Sequence, residues 1–402
     1  MRSMKITAIA AALGLCAGLM SSCGNENVSE DTADTQSVSE SAADTEANPA
    51  DTHTNDEIRD ITVTELVSEM KIGWNLGNTL DATNDKEDAV EPSQHETAWG
   101  NPVTTKAMVD MLKDAGFNVF RVPVTWEHHL GDGPDYTIDE KWLDRVQEVV
   151  NYGIDNDMFV ILNAHHEDWH NPKYDNLDSA KEELSALWSQ ISDRFGGYDE
   201  HLIFEGMNEP RLKNTPLEWT GGDEESRDCI NQLNQTFVDT VRASGKNNDK
   251  RCLMIPTYAA SSDQKVLNDF VVPDDDRVIV SIHAYLPYMF ALADNGTSEW
   301  SADNAADTND IQLMLARLKD TFLDKGIPVV IGEFGSVNRF NLEARCALAE
   351  YYVSQAKSYG IPCVWWDNGA FVGNGENFGL LVRNELRWHD QELVDALMKG
   401  LE

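Results

Sequence analysis

The sequence predicts an α/β protein of the (β/α)8, or TIM, barrel class. Eight short, nearly unbroken apolar runs follow residue 60, and amphipathic stretches of helical period lie between most of them. The alternation fills about 340 residues, the length such a barrel needs. A strand that is apolar along its whole length is one covered by helices, so the sheet should be parallel. A doubly wound sheet is the other architecture with this alternation, but no GxGxxG loop follows the first run.

The chain opens on an address rather than a fold. Arg2 and Lys5 make a positive start, Ile6 to Met20 an apolar core, and Ser21-Ser22 a small-residue end, the pattern of an export signal. Leu19-Met20-Ser21-Ser22-Cys23 resembles a bacterial lipobox, with Met20 where Leu is usual. The expectation is a secreted or cell-surface protein, lipid-anchored at Cys23, with 1–23 as the signal. Ordinary secretion with cleavage nearby is the other reading. Residues 24–57 carry ten acidic side chains, no Lys or Arg and no aromatic ring. Such a segment buries too little surface to offset its chain entropy and should be a disordered linker. Residues 58–402 then form one folded domain, with no repeat or second linker.

Within that domain the expected strands are Lys71–Asn75, Phe117–Val124, Phe159–His165, Leu202–Asn208, Arg251–Tyr258, Val278–Tyr285, Pro328–Gly335 and Pro362–Asp367. The expected helices include Thr105–Ala115, Lys141–Asn156, Ser179–Phe195, Arg227–Ser244, Ile311–Lys325 and Leu342–Ser358. Gly116, Gly153, Gly245, Gly326 and Gly360 fall near helix ends, where a left-handed cap is wanted. Barrel sites sit at the C-terminal ends of the strands. Those ends carry Asn75 and Asn78, Arg121, His165 and His166, Asn208 and Glu209, Tyr258, His283 and Tyr285, Glu333, and Trp366. Each alone could be a core or capping residue. Their recurrence at one rim points to a site.

Charge and cysteines exclude several classes. Lys and Arg number 31 against 70 Asp and Glu, a formal net charge of −39, of which −31 belongs to residues 58–402. That surface repels phosphate backbones and anionic lipid heads, so nucleic acid is not an expected partner. The six Cys form no CxxC pair and no zinc spacing, so no structural metal site is expected; no cofactor is expected either. Cys229, Cys252, Cys346 and Cys363 are read as buried free thiols. A structural calcium is not located by the sequence.

Glu209 and Glu333 end the fourth and seventh runs. A carboxylate closing an apolar strand is costly unless paired or used. Two of them across a cleft, one protonated and one ionised, are what glycosidic bond cleavage requires. Their contexts are Asn208-Glu209-Pro210 and Gly332-Glu333-Phe334-Gly335. With Gly73-Trp74-Asn75-Leu76-Gly77-Asn78-Thr79-Leu80, Trp99-Gly100-Asn101-Pro102, Phe120-Arg121-Val122-Pro123-Val124, Asn163-Ala164-His165-His166, Ser281-Ile282-His283-Ala284-Tyr285 and Trp365-Trp366-Asp367-Asn368-Gly369, these resemble glycoside hydrolase family 5 over about 60–400. The resemblance is to its subfamily 4 of bacterial endo-β-1,4-glucanases and xyloglucanases.

The resemblance implies a retaining endoglucanase with Glu209 as acid/base and Glu333 as nucleophile. It implies sugar contacts from Asn78, Trp99, Arg121, His165, His166, Asn208, His283, Tyr285 and Trp366. Trp74 and Trp300 are further candidate platforms, whereas Trp142, Trp188 and Trp388 read as helical core. The implied partner is a neutral β-1,4-glucan, cut by a protein expected to be a monomer. Cellulose, mixed-linkage glucan and xyloglucan stay open as substrates. Two other readings compete. One is a metal-dependent hydrolase built on His165-His166-Glu167-Asp168-Trp169-His170, which strand alternation disfavours because neighbours face opposite ways. The other is a surface lipoprotein that binds oligosaccharide without cutting it, which has no need of two carboxylates.

Overall fold

Eight parallel strands close on one another in chain order: β1 (Ile72–Leu76), β2 (Val119–Val122), β3 (Phe159–Asn163), β4 (Leu202–Glu205), β5 (Leu253–Pro256), β6 (Val278–His283), β7 (Val329–Phe334) and β8 (Cys363–Asp367). The ring closes where β1 pairs with β8, Asn75 beside Trp366. This computed structural model describes residues 53, 55–84, 90–373 and 375–402. The expected export signal, Cys23 and nearly all of the expected acidic linker lie outside the described residues. Chain contacts begin before residue 58, however. The Asp56 N–H donates to the Gly197 carbonyl at 2.8 Å, and the Asn247 amide donates to the Asp56 carbonyl at 2.8 Å.

Side chains along each strand alternate between the barrel interior and the helix layer. Phe120, Val122, Val160, Leu162, Phe204, Leu253, Ile255, Val280, Ile282 and Ile331 face outward and join the large core beneath the helices. Val119, Phe159, Ile161, Ile203, Cys252, Met254, Ile279, Val330 and Val364 face inward and form a separate apolar cluster. Helix Val63–Glu69 packs Val63, Leu66 and Val67 into that inner cluster and closes the barrel's N-terminal end. Thr62 and Glu65 cap this helix reciprocally, the Ser/Thr-x-x-Glu pattern that fixes a helix start.

One step further along the same inward register the residues turn polar: Asn75, Arg121, Asn163, Glu205 and Ser281, all fully buried. Register irregularities interrupt β6–β7 at Ile282/His283 and β7–β8 between Ile331 and Phe334. Such irregularities re-aim side chains beside active sites, and here they bring His283 opposite Glu333.

Helices Lys106–Asp114, Glu140–Ile154, Tyr174–Arg194, Glu224–Ala243, Ala305–Thr321 and Leu342–Ser358 correspond to the six expected from periodicity. Tyr174–Arg194 begins five residues earlier than expected and Ala305–Thr321 six, because polar first turns carry no apolar period. Between β5 and β6 the only α-helix is the six-residue Gln264–Asp269. Trp388 is not helical: it lies in a two-stranded ribbon, Leu381–Val382 with Arg387–Trp388, ahead of the last helix Gln391–Lys399. Cys229, Cys252 and Cys363 are buried free thiols, and Cys346 is half-buried and free.

Candidate active site

The site is built on Arg121. Its guanidinium is wholly buried and spends its donors on four groups: Glu205 Oε2 at 2.8 Å, Asn75 Oδ1 at 2.9 Å, Glu333 Oε1 at 2.9 Å and Asn208 Oδ1 at 2.7 Å. A buried cation with every partner in place is stable, but removing one partner strands the rest. Glu205 also accepts from Ser281 Oγ at 2.6 Å and Asn163 Nδ2 at 3.1 Å. Arg121 keeps its charge because the two carboxylates outweigh the cost of burial.

Above this layer stand Glu209 and Glu333. The Tyr285 hydroxyl donates to Glu333 Oε2 at 2.8 Å, so each oxygen of Glu333 has one donor that can only donate in this setting. Burial beside Glu333 holds the Tyr285 hydroxyl well above its ordinary pKa and keeps the proton on it. His283 Nδ1 bridges the pair, 2.7 Å from Glu209 Oε1 and 3.5 Å from Glu333 Oε1. An oxygen of each carboxyl and His283 lie within 4.8 Å of one another.

These three groups titrate together. Burial opposes the charge on His283, yet Glu333 and Glu209 outweigh it and raise the imidazole above 6.5. Burial raises Glu209 as well, but the His283 hydrogen bond and charge win and lower it. Glu333 is raised, because burial exceeds the pull of His283 and Arg121 and the charge of Glu209 adds to it. The two carboxylates thus favour the charged form of His283, which lies one short hydrogen bond from Glu209.

Asn208 and His165 have their orientations fixed from below. Arg121 can only donate, so it claims Asn208 Oδ1, and Asn208 Nδ2 finds no partner among the described residues. The Val124 N–H likewise claims Asn163 Oδ1 at 3.1 Å, leaving Asn163 Nδ2 to donate to His165 Nδ1 at 3.1 Å. His165 Nδ1 must accept, so its proton is on Nε2. Burial keeps that ring neutral, with the neighbouring His166 adding to the effect.

The His165 and Trp366 rings lie parallel, with centroids 5.7 Å apart. Gly77 makes room for that indole, since a Cβ there would meet Trp366 Cζ2 at 2.8 Å. Only 7% of Trp366 is exposed. Trp99 is 43% exposed and stands 5.6 Å from His166. Asn78 sits in the left-handed region, φ 55°, with its N–H held by Asp81 Oδ2 at 3.0 Å.

The structure thus gathers Arg121, Asn208, Glu209, His283, Tyr285 and Glu333 into one network, with His165, His166, Trp366, Trp99 and Asn78 around its rim. Other expected residues lie elsewhere. Trp74 is core: it points outward from β1, stacks on Phe120 and donates to Asp367 Oδ2 at 2.8 Å. Trp300 is buried against Tyr351 and donates to the Asp307 carbonyl at 3.1 Å. Tyr258 is an anchor under a loop, accepting from the Leu212 N–H and donating to the Leu217 carbonyl. Strand alternation does not separate His165 from His166, because β3 ends at Asn163, and their rings are 4.5 Å apart. Asn75, expected at the rim, lies in the buried layer beneath it, accepting from Arg121; Asn163, Glu205 and Ser281 were not among the expected site residues, although each lies on the inward register of its strand.

Three comparisons bear on this arrangement. Residues 81–372 match the family model for Cellulase (glycosyl hydrolase family 5). The chain belongs to glycoside hydrolase family 5. As a family 5 glycoside hydrolase it is 48% identical over 413 residues to Endoglucanase B of Ruminococcus albus, covering all of this chain and 98% of that one. Among solved structures it is similar to a GH5-4 broad-specificity endoglucanase from Ruminococcus champanellensis with bound cellotriose, with 54% identity and a TM-score of 0.83 over 86% of this chain and 100% of that one. It also resembles a xyloglucan-specific endo-β-1,4-glucanase from a metagenomic library, in complex with cellotriose, with 44% identity and a TM-score of 0.80 over 83% of this chain and 98% of that one. The subfamily resemblance read from the motifs is borne out, and the family 5 chain is an enzyme of the endoglucanase type.

Proposed function

We propose that this enzyme is a retaining endo-β-1,4-glucanase that hydrolyses internal bonds of cellulose and related β-glucans by double displacement. Glu209 is the acid/base and Glu333 the nucleophile. One observation carries the assignment: Glu333 is held between Arg121 and Tyr285, whereas Glu209 is joined to the site's proton through His283. Burial raises Glu333, but its two donors, one to each oxygen, oppose that rise and fix the carboxyl in one orientation, as a nucleophile requires. Its partner, one hydrogen bond from an imidazolium, can take that proton and deliver it to the departing oxygen. Carboxyl oxygens within 4.8 Å suit retaining chemistry, with carboxyls about 5–5.5 Å apart, better than the roughly 6.5–9.5 Å that leaves room for an inverting water.

Once Glu333 is esterified its charge is gone. His283 then loses a charge that raised its pKa, and Glu209, having given up its proton, activates water for the second step. Asn208 Nδ2 and His165 Nε2 are the donors free to meet sugar hydroxyls, and Trp366 and Trp99 offer ring faces. The broad-specificity relative supports breadth across β-glucans. The xyloglucan-specific relative supports a second reading, a preference for branched chains set by the rim loops. Export with a lipid anchor at Cys23 rests on the N-terminal sequence; membrane release of Cys23→Ser would test it.

The test is release of reducing ends from carboxymethyl cellulose, barley β-glucan, xyloglucan and mannan, with Glu333→Ala beside the wild type. Activity on glucans, reduced by about 10⁴-fold or more in the variant, is expected. Folded wild type inactive on all four, or an inverted product seen by NMR, would overturn the assignment.

A further inference from the structure

The junction between the first and last strands is gripped by a side chain that the catalytic network does not use. Arg383 lies just past the ribbon strand Leu381–Val382 and is buried, with 3% of it exposed. Its guanidinium reaches across the seam between β1 and β8. Nη1 donates to Thr79 Oγ1 at 2.6 Å, and Nη2 donates to the carbonyls of Asp367 at 2.6 Å and Gly77 at 3.1 Å. The guanidinium carbon lies 5.0 Å from the centre of the Trp74 ring. Asp367 grips the ribbon in return. Its Oδ2 accepts from the Leu380 and Leu381 N–H groups at 2.9 Å and from Trp74 Nε1 at 2.8 Å, and its Oδ1 accepts from the Gly369 N–H at 2.8 Å.

The two carbonyls held by Nη2 belong to the neighbours of one side chain. Asp367 follows Trp366 in the chain. Gly77 is the residue on which the Trp366 indole rests, since a Cβ there would meet Cζ2 at 2.8 Å and Cη2 at 2.9 Å. Asn101 holds the same seam from another side, donating through Nδ2 to the carbonyls of Asn78 at 2.8 Å, Asn368 at 3.0 Å and Gly77 at 3.3 Å. A buried ion pair stabilises a fold little more than an apolar filler of the same volume would. What a guanidinium supplies is a planar fork of donors with fixed directions. Here those directions set the spacing of the two strand ends where the indole is seated.

We infer that Arg383 is a positioning residue for the reaction: by holding the Gly77 and Asp367 carbonyls it fixes the plane of Trp366 beside the reacting sugar. The inference rests on the proposed glucanase reading, in which the Trp366 ring face meets that sugar. A platform that rocks still offers the same apolar area, so the sugar still binds. It presents the anomeric carbon to Glu333 in fewer productive poses, so the cost falls on rate more than on affinity. The ribbon is thereby a brace for the site as well as a step toward the last helix.

The experiment is a double-mutant cycle between Arg383 and Trp366 on barley β-glucan, with NMR spectra of the indole N–H groups taken on the same proteins. Arg383→Met should lower kcat about tenfold while KM changes less than about twofold. Arg383→Lys keeps the charge without the planar fork; it should lower kcat in the same sense, and it decides the matter should the Met variant not fold. Trp366→Leu removes the ring. In that background Arg383→Met should cost less than about twofold more, because two changes acting through one side chain do not add. The Trp366 indole resonance, identified by its loss in Trp366→Leu, should shift in Arg383→Met. That of Trp188, which donates to the Gly206 carbonyl at 3.0 Å, should stay where it is. An undiminished loss of rate in the Trp366→Leu background, or an unmoved Trp366 resonance or wild-type kcat in a folded Arg383 variant, would overturn the inference and leave the glucanase assignment intact. Wild type inactive on the glucan would instead count against the assignment, while the indole spectra would still report on Arg383.

Discussion

The two ends of the barrel interior are made by the same strands on the same register, yet they solve opposite problems. At the N-terminal end Val119, Ile161, Ile203, Ile279, Val330 and Val364 meet helix Val63–Glu69 in an apolar plug. Two residues further along β2, β3, β4 and β6 stand Arg121, Asn163, Glu205 and Ser281, equally buried but hydrogen-bonded at every turn. The plug is stable by packing, which tolerates small changes of shape. The polar layer is stable only as a complete set, because each buried group left unpaired costs its full desolvation. Stability is therefore diffuse at one end and concentrated at the other.

The sharpest way to break that contrast is Arg121→Met. It leaves Glu205 buried without its cation and frees Glu333, so about 3–5 kcal/mol of stability should be lost, measured by denaturant unfolding, together with nearly all activity. Retention of wild-type stability would mean the polar layer is no more cooperative than the plug. Next comes His283→Asn, which keeps a donor toward Glu209 but cannot titrate. His283 is raised in the folded state, so the stability it contributes is fully present below about pH 6.5 and is lost as pH rises through the raised value. The wild type should lose stability across that window with a slope of up to about 1.4 kcal/mol per pH unit, and the variant's unfolding free energy should be flatter there. Identical slopes would remove His283 from the proton inventory. The smallest effect belongs to the plug: Ile203→Val should cost about 0.5–1.5 kcal/mol and leave the pH profile of activity unmoved.

Much of this was legible in the sequence, for a physical reason. Parallel strands buried on both faces write themselves as apolar runs, and the first polar residues at their ends are those at the rim. The pair Glu209 and Glu333, with Arg121, Asn208, His283 and Tyr285, follows from that rule. Reading inward register as well would have found Glu205, Asn163 and Ser281, each two residues from an apolar inward neighbour. The same parity marks Trp74 as outward, beside inward Asn75, and so as core. Trp300 and Tyr258 lie outside the strands and α-helices, where no period links sequence to burial. The short ribbon holding Trp388 was hidden for the same reason.

The plug also fixes a direction. Asp56 meets Gly197 just before β4, and the Arg277 side chain, just before β6, holds the Ile61 carbonyl. The polypeptide therefore reaches the domain at the pole opposite the carboxyl pair. A load applied through the chain ahead of His53 therefore pulls on the closed end and not on the open rim. Immobilisation through the N-terminus should thus preserve access for a long polymer, whereas a graft onto the β4 or β6 loops would stand in its way.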